Sequence, residues 1–238
     1  MLVTGGSRGI GRAIAGRFAE LGAARIALGY LRNDAAAEEA AAELRALGAE
    51  VELVRGNVSS SRTVERIREL GALDVVVHNA ATGVARPALD ASDRHFDWTM
   101  NANARSLLSI ARAVVPAMRK GSSIVALSSL GSGRVLDNYV LVGASKAALE
   151  AIVRYLAVEL APKGVRVNAV SAGVVETDAL RHFPNGERMV AWAKRRTPAG
   201  RMVEVADVAS AVAFLASPDA AMIRGQVLVV DGGFSLLA

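Results

Sequence analysis

The chain opens with a β-prone run, a glycine-rich turn and a helical pattern in immediate succession, and few architectures accept that order. Leu2-Val3-Thr4 is short and apolar, Gly5-Gly6-Ser7-Arg8-Gly9-Ile10-Gly11 follows at once, and helical periodicity runs from about 10 to 21. Glycine serves where the backbone turns with positive φ and where an anion must come close to the chain, while a helix N-terminus presents unpaired N–H groups. The spacing suits a pyrophosphate held at a strand–helix junction, with Gly5, Ser7, Arg8, Gly9, Ile10 and Gly11 as its contacts. The same string can also be a tight connection that holds no ligand, so the remaining segments have to decide.

Those segments alternate. Helical patterns at about 34 to 47, 60 to 70, 93 to 119, 139 to 161 and 204 to 216 are separated by short apolar runs, among them Arg25 to Tyr30, Val51 to Val54, Val75 to Val77 and Ile124 to Leu127. Strands alternating with helices imply parallel βαβ units. No linker-like break interrupts the 238 residues, so the expectation is an α/β, single-domain Rossmann fold spanning 1–238, a doubly wound parallel sheet with helices on both faces. Met1 falls almost inside the first strand, which suggests that a few residues precede it.

Composition removes several function classes. Without cysteine there is no disulfide or thiolate metal site, which suits a reducing compartment. His78, His95 and His182 stand at no metal-ligand spacing. No apolar run reaches the roughly 18 residues that span a bilayer, and no signal peptide is evident. We therefore expect a cytoplasmic protein without membrane contact. A net charge of +5, spread along the chain, gives no nucleic-acid patch. Arg181, Arg188, Lys194, Arg195, Arg196 and Arg201 are local exceptions, to be read either as a surface for an acidic partner or as a solvated helix face.

The glycine spacing T-G-x-x-x-G-x-G resembles the fingerprint of the short-chain dehydrogenase/reductase family, and other segments fit it in order. Asn57-Val58 resembles the pair that holds adenine. Asn79-Ala80-Ala81 is similar to the family's N-A-G turn, with Ala81 where glycine is usual. Asn103 fits its helix asparagine, against the alternative Asn101. Ser129 closes a strand, with Ser128 and Ser132 as competitors. Ser171-Ala172-Gly173-Val174-Val175-Glu176-Thr177 resembles P-G-x-[IV]-x-T with alanine for proline, and Arg224-Gly225-Gln226 and Val230-Asp231-Gly232-Gly233 resemble the closing pattern. The resemblance implies nicotinamide near Gly173, Val175 and Thr177, a substrate lid at about 176–203, and dimers or tetramers built through helices 93–119 and 139–161. Ala144, Ala147, Ala148, Ala151 and Ile152 would permit such packing, or would bury against the chain's own sheet.

Charge discriminates between the two nicotinamide cofactors. An acid at the end of the second strand receives the ribose 2′-hydroxyl of NAD, whereas NADP needs cations for its 2′-phosphate. The strand Arg25 to Tyr30 ends without an acid, and Arg8 and Arg32 lie where guanidinium groups could take a phosphate. NADPH is the expected cofactor.

Family members commonly carry a serine, a tyrosine thirteen residues later and a lysine four beyond that. Ser129 lies 17 positions before Lys146, so the frame is kept, but the tyrosine slot holds Val142 and the nearby phenol is Tyr139. The shift is about 4.5 Å along a helix rising about 1.5 Å per residue. A carbonyl reductase needs the phenol at the oxygen of the carbon that takes hydride. An enoyl thioester takes hydride at its β-carbon and develops charge on a carbonyl oxygen two bonds further on, which suits a displaced donor. Tyr-x6-Lys, with 79–84, 96–101, 182–185, 197–204 and 222–226, resembles the NADPH-dependent enoyl-acyl-carrier-protein reductases of type III. By that resemblance Tyr139 hydrogen-bonds the thioester oxygen. Lys146 holds the nicotinamide ribose and lowers the phenol's pKa, and the substrate is carried by acyl carrier protein or CoA. A carbonyl reductase, including a 3-oxoacyl reductase, and a non-catalytic NADPH-binding protein remain alternatives.

Overall fold

The computed structural model describes residues 1–177, 180 and 186–237. Seven strands form one sheet: β1 (Leu2–Thr4), β2 (Arg25–Tyr30), β3 (Glu50–Arg55), β4 (Val75–His78), β5 (Ser123–Ser129), β6 (Arg166–Ala172) and β7 (Val227–Val230). Their spatial order is β3-β2-β1-β4-β5-β6-β7, and every pairing is parallel. The direction of winding reverses between β1 and β4, so the ends of these neighbours splay into the crevice where this architecture binds ligands.

Strand residues alternate between two apolar layers. Leu2, Val76, Ile124 and Val167 join one cluster, packed under α3 (Ser61–Glu69), α5 (Ser106–Val114) and α6 (Val140–Glu159). Val3, Val77, Val125 and Val170 join the other, under α1 (Gly9–Glu20), α2 (Asp34–Ala46) and α8 (Val205–Ala216). Both faces are thus dry, which is why the inner strands read as continuous apolar runs rather than alternating ones. Ile14, Ile26, Leu107, Ile124, Leu149 and Leu215 are fully buried, each contributing about 1.5 to 3 kcal/mol against exposure.

Two expectations need correction. The helix read as 93–119 is composite: α4 (Asp93–Met100) passes into a π-turn at Asn101–Arg105 and then into α5, followed by a 3₁₀ turn at Val115–Ala117. A π-turn is invisible to a 3.6-residue pattern because it inserts one residue without changing composition. Within the segment expected to form a lid the sequence reading gives no helix bounds, and the basic residues there read only as a partner surface or a solvated helix face; α7 (Gly186–Arg196) is a regular helix. His182 and the string 182–185 lie outside the described residues, as does Arg181. Among the described residues no helix is long and apolar enough to cross a membrane, and no group of His, Asp or Glu could hold a metal ion.

Candidate active site

The crevice is stitched across the switch point by two side chains. Thr4 Oγ1 accepts the backbone N–H groups of Asn79 and Ala80, each at 3.0 Å. Asn79 Nδ2 returns hydrogen bonds to the carbonyls of Thr4 and Gly5, also at 3.0 Å. Gly5 and Gly9 have φ of +66° and +52°, and a Cβ on Gly11 would lie 2.2 Å from the Gly5 carbonyl oxygen. The turn therefore closes only with glycine at these places. Its helix α1 has Arg8 at the N-cap, with no side-chain cap and no acid in the first turn, so the first-turn N–H groups keep their partial positive charge.

The other cofactor candidates line the same rim. Ser7 is buried and Ile10 half-buried, while Arg8 and Arg32 are exposed; among the described residues neither arginine has an ion-pair partner. Tyr30, at the end of β2, donates its hydroxyl to Asp34 Oδ1 at 2.8 Å, and Arg55 pairs with the other oxygen at 3.4 Å. An acid thus does stand just beyond β2, where the sequence reading placed none at the strand end, but both its oxygens are engaged. Asn57 is exposed and Val58 half-buried, with Asn57 Oδ1 capping Ser59 N–H. Thr177 lies over Gly9, within 3.5 Å of the place a Cβ would take. Gly173 sits against Asp231, and Val175 bridges to Val203. A glycine cradle, an uncapped helix end and free cations fit a dinucleotide phosphate.

Across the crevice, three successive residues of β5 engage α6. The Leu127 carbonyl accepts from Lys146 Nζ at 2.6 Å, Ser128 Oγ donates to Glu150 Oε1 at 2.5 Å, and Ser129 Oγ lies 3.1 Å from the Tyr139 hydroxyl. Ser128 is thereby committed to Glu150, and Ser129 is the serine that meets the phenol. Tyr139 is the N-cap of α6. Its ring rests over Gly131, where a Cβ would approach ring carbons to 2.5 Å, and a Cβ on Gly143 would strike the Gly131 carbonyl. Two glycines therefore create the phenol's seat. Val142, in the usual tyrosine slot, is buried and covers Gly83.

Burial dominates the electrostatics. It pulls the Lys146 ammonium down to about 8, with Glu150 opposing. Burial also pushes the Tyr139 phenol up, with the Ser129 hydrogen bond opposing. Burial thus outweighs the Ser129 hydrogen bond at this phenol, while Lys146 Nζ is turned to the Leu127 carbonyl. His78 is fully buried and held down to about 3, by burial first and then by Lys146. Ser106 donates to the Ala102 carbonyl, so His78 Nε2 donates to Ser106, and Nδ1 has no partner.

Asn103, within the π-turn, is fully buried. Its Oδ1 accepts Thr82 N–H, and its Nδ2 donates to the Thr82 carbonyl and to Ser145 Oγ, at 2.8 to 2.9 Å. It clamps the loop after β4 to α6. Asn101 instead receives Arg105 at 3.1 Å. Ser145, Gly131 and Glu150 were not singled out in the sequence, and Thr4 stood there only as the first letter of T-G-x-x-x-G-x-G.

A switch-point crevice with a phosphate cradle on one wall and a serine–tyrosine pair and buried lysine on the other defines an oxidoreductase of Rossmann architecture. Residues 5–235 match the family described as Enoyl-(Acyl carrier protein) reductase. The chain belongs to that family, within the short-chain dehydrogenases/reductases. A 1-cyclohexenylcarbonyl-CoA reductase from Streptomyces collinus is 38% identical over 244 residues, covering 100% of this chain and 87% of the relative. A short chain dehydrogenase from Burkholderia cenocepacia J2315, solved in complex with NADP, superposes with a TM-score of 0.90 at 33% identity, covering 98% of this chain and 96% of that one. An enoyl-[acyl-carrier-protein] reductase (NADH) from Aquifex aeolicus VF5 gives 0.91 at 29% identity, covering 100% and 96%.

Proposed function

We propose that this protein reduces the C2=C3 double bond of trans-2-enoyl thioesters with NADPH. The observation that carries the reading is the place of the phenol: Tyr139 caps α6 and meets Ser129, while Val142 closes the slot nearer the lysine. NADPH supplies the hydride, which goes to the β-carbon. Tyr139 donates to the thioester oxygen as negative charge develops there, and the α-carbon then takes a proton from Tyr139 or water. Lys146 would leave the Leu127 carbonyl to hold ribose hydroxyls, bringing its charge towards the phenol. Asn103 keeps the loop after β4 in place. Arg8 and Arg32 support NADPH over NADH. The relative acting on a CoA thioester and the family description naming acyl carrier protein support a thioester carried by a phosphopantetheine arm.

A second reading, reduction of a carbonyl, has one observation in its favour: the Ser129–Tyr139 pair at 3.1 Å is also what a carbonyl oxygen would be placed between. Loss of nicotinamide absorbance with crotonyl and acetoacetyl thioesters, each with NADPH and NADH, separates the two. Crotonyl turnover preferring NADPH, reduced about 10²- to 10³-fold in Tyr139→Phe as for loss of one oxyanion donor, is the expected result. Acetoacetyl turnover with crotonyl inert would replace the first reading by the second.

A further inference from the structure

Glu150 is half-buried on α6, one helical turn beyond the fully sequestered Lys146. A glutamate at this depth is uncommon unless something holds it, and Ser128 Oγ does so at 2.5 Å from the residue next to the Leu127 carbonyl that receives Lys146. Two adjacent residues at the end of β5 thus fix a cation and an anion on successive turns of one helix. Among the described contacts no ion pair joins Lys146 and Glu150 directly, so the carboxylate acts through space over one helical turn, where an opposite charge favours the ionised form.

We propose that Glu150 is a positioning residue that keeps Lys146 an ammonium ion for the ribose and phenol, with Ser128 as the tether that aims it. The proposal rests on the role given to Lys146 above. Among the described residues Glu150 is the charge that acts on Lys146. From β4, His78 is neutral; from β5, the groups facing α6 are the hydroxyls of Ser128 and Ser129; at the N-cap, Tyr139 is a neutral phenol. Arg105 of the π-turn, Asp97 of α4 and Arg154, one turn further along α6, are all exposed. Burial draws the Lys146 pKa to about 8 despite Glu150, so without the carboxylate the lysine would lose its proton within the working range.

The test is a titration of the lysine ε-carbon in the protein without cofactor, labelled with ¹³C-lysine and assigned by the signal missing in Lys146→Arg. Glu150→Gln keeps an acceptor for Ser128 and removes only the charge. Its Lys146 midpoint is expected about one pH unit below wild type, with Glu150→Asp restoring most of the difference. The alkaline limb of kcat should move down in parallel, with KM for NADPH changing less than kcat. An unchanged midpoint in Glu150→Gln overturns the proposal, as does a midpoint that moves while the alkaline limb stays. Failure to turn over crotonyl thioester would instead overturn the enoyl reading and leave the titration standing.

Discussion

The two walls of the crevice are built by different means. On the β1–β4 wall the geometry is made by backbone: glycines that no Cβ can replace, an uncapped helix end, and Thr4 and Asn79 spent wholly on main-chain partners. The β5–α6 wall is made by side chains, with Lys146, Glu150 and Tyr139 each meeting a successive residue of one strand end. A backbone wall recognises a phosphate, which asks only for N–H groups and space. A side-chain wall can tune protonation, and there burial and neighbouring charge compete.

The contrast breaks first at Gly11. Its Cβ would fall 2.2 Å from the Gly5 carbonyl and 2.6 Å from Asn79 Nδ2, both held by other bonds. Gly11→Ala is expected to cost about 1 to 3 kcal/mol, the usual cost of overpacking, seen as a Tm lower by about 2 to 12 °C, and to abolish NADPH binding by fluorescence titration. Gly16, on the same helix with open space around it, should accept alanine with no loss. Equal effects at the two glycines would show that the turn is not rigid.

Lys146 sharpens the other side of the comparison. Its folded pKa of about 8 lies below its ordinary 10.5, so between these values the unfolded chain binds a proton that the folded one does not. Burying the ammonium therefore costs stability fully below about pH 8, and the cost is relieved as pH rises towards 10.5. Lys146→Met should be the more stable protein in urea melts at pH 7, with a margin that shrinks at pH 10, while losing activity. His78 works in the opposite range: held neutral down to about 3 against an ordinary 6.5, it withdraws stability as pH falls from 6.5 towards 3. A Lys146→Met margin independent of pH would mean that the lysine is not buried as an ammonium.

The same division explains what could be read before folding. Leu2 to Gly11 announces strand, turn and helix because glycine spacing is itself the structural requirement, and the apolar runs announce a two-sided parallel sheet because both faces are covered. Ser129, Tyr139 and Lys146 were picked out by their spacing against the family's pattern, and the structure brings them to one wall. Glu150 was not, since a glutamate four residues after a lysine is ordinary helix chemistry, and only burial makes it unusual. The π-turn escaped for a similar reason: Asn101–Arg105 is compositionally helical, and its extra residue shows only when Asn103 turns inward to meet Thr82 and Ser145. The exposure of Ala144 and Ala147, beside partly buried Ala148 and Ile152, divides the alanine face between the outside of α6 and the chain's own core.

The smallest expected effect lies between α7 and the loop that leads to Tyr139. Arg188 of α7 pairs with Asp137, two residues before Tyr139, at 3.6 Å, with both side chains more than 70% exposed. Exposed pairs of this kind are worth about 0 to 1 kcal/mol and weaken with salt. The region from α7 to Val203 has firmer attachments: Ala193, Met202 and Val203 are buried, Trp192 packs edge-on against Phe234 at 4.9 Å, and Val175 bridges to Val203. Removing the pair should therefore leave α7 seated, so Asp137→Asn is expected to change KM for crotonyl thioester less than about fivefold, in keeping with the weakness of exposed pairs, and to leave Tm unaltered. A larger change that disappears in high salt would make this pair a latch acting on the Tyr139 loop, and would extend the side-chain wall from the strand end out to α7.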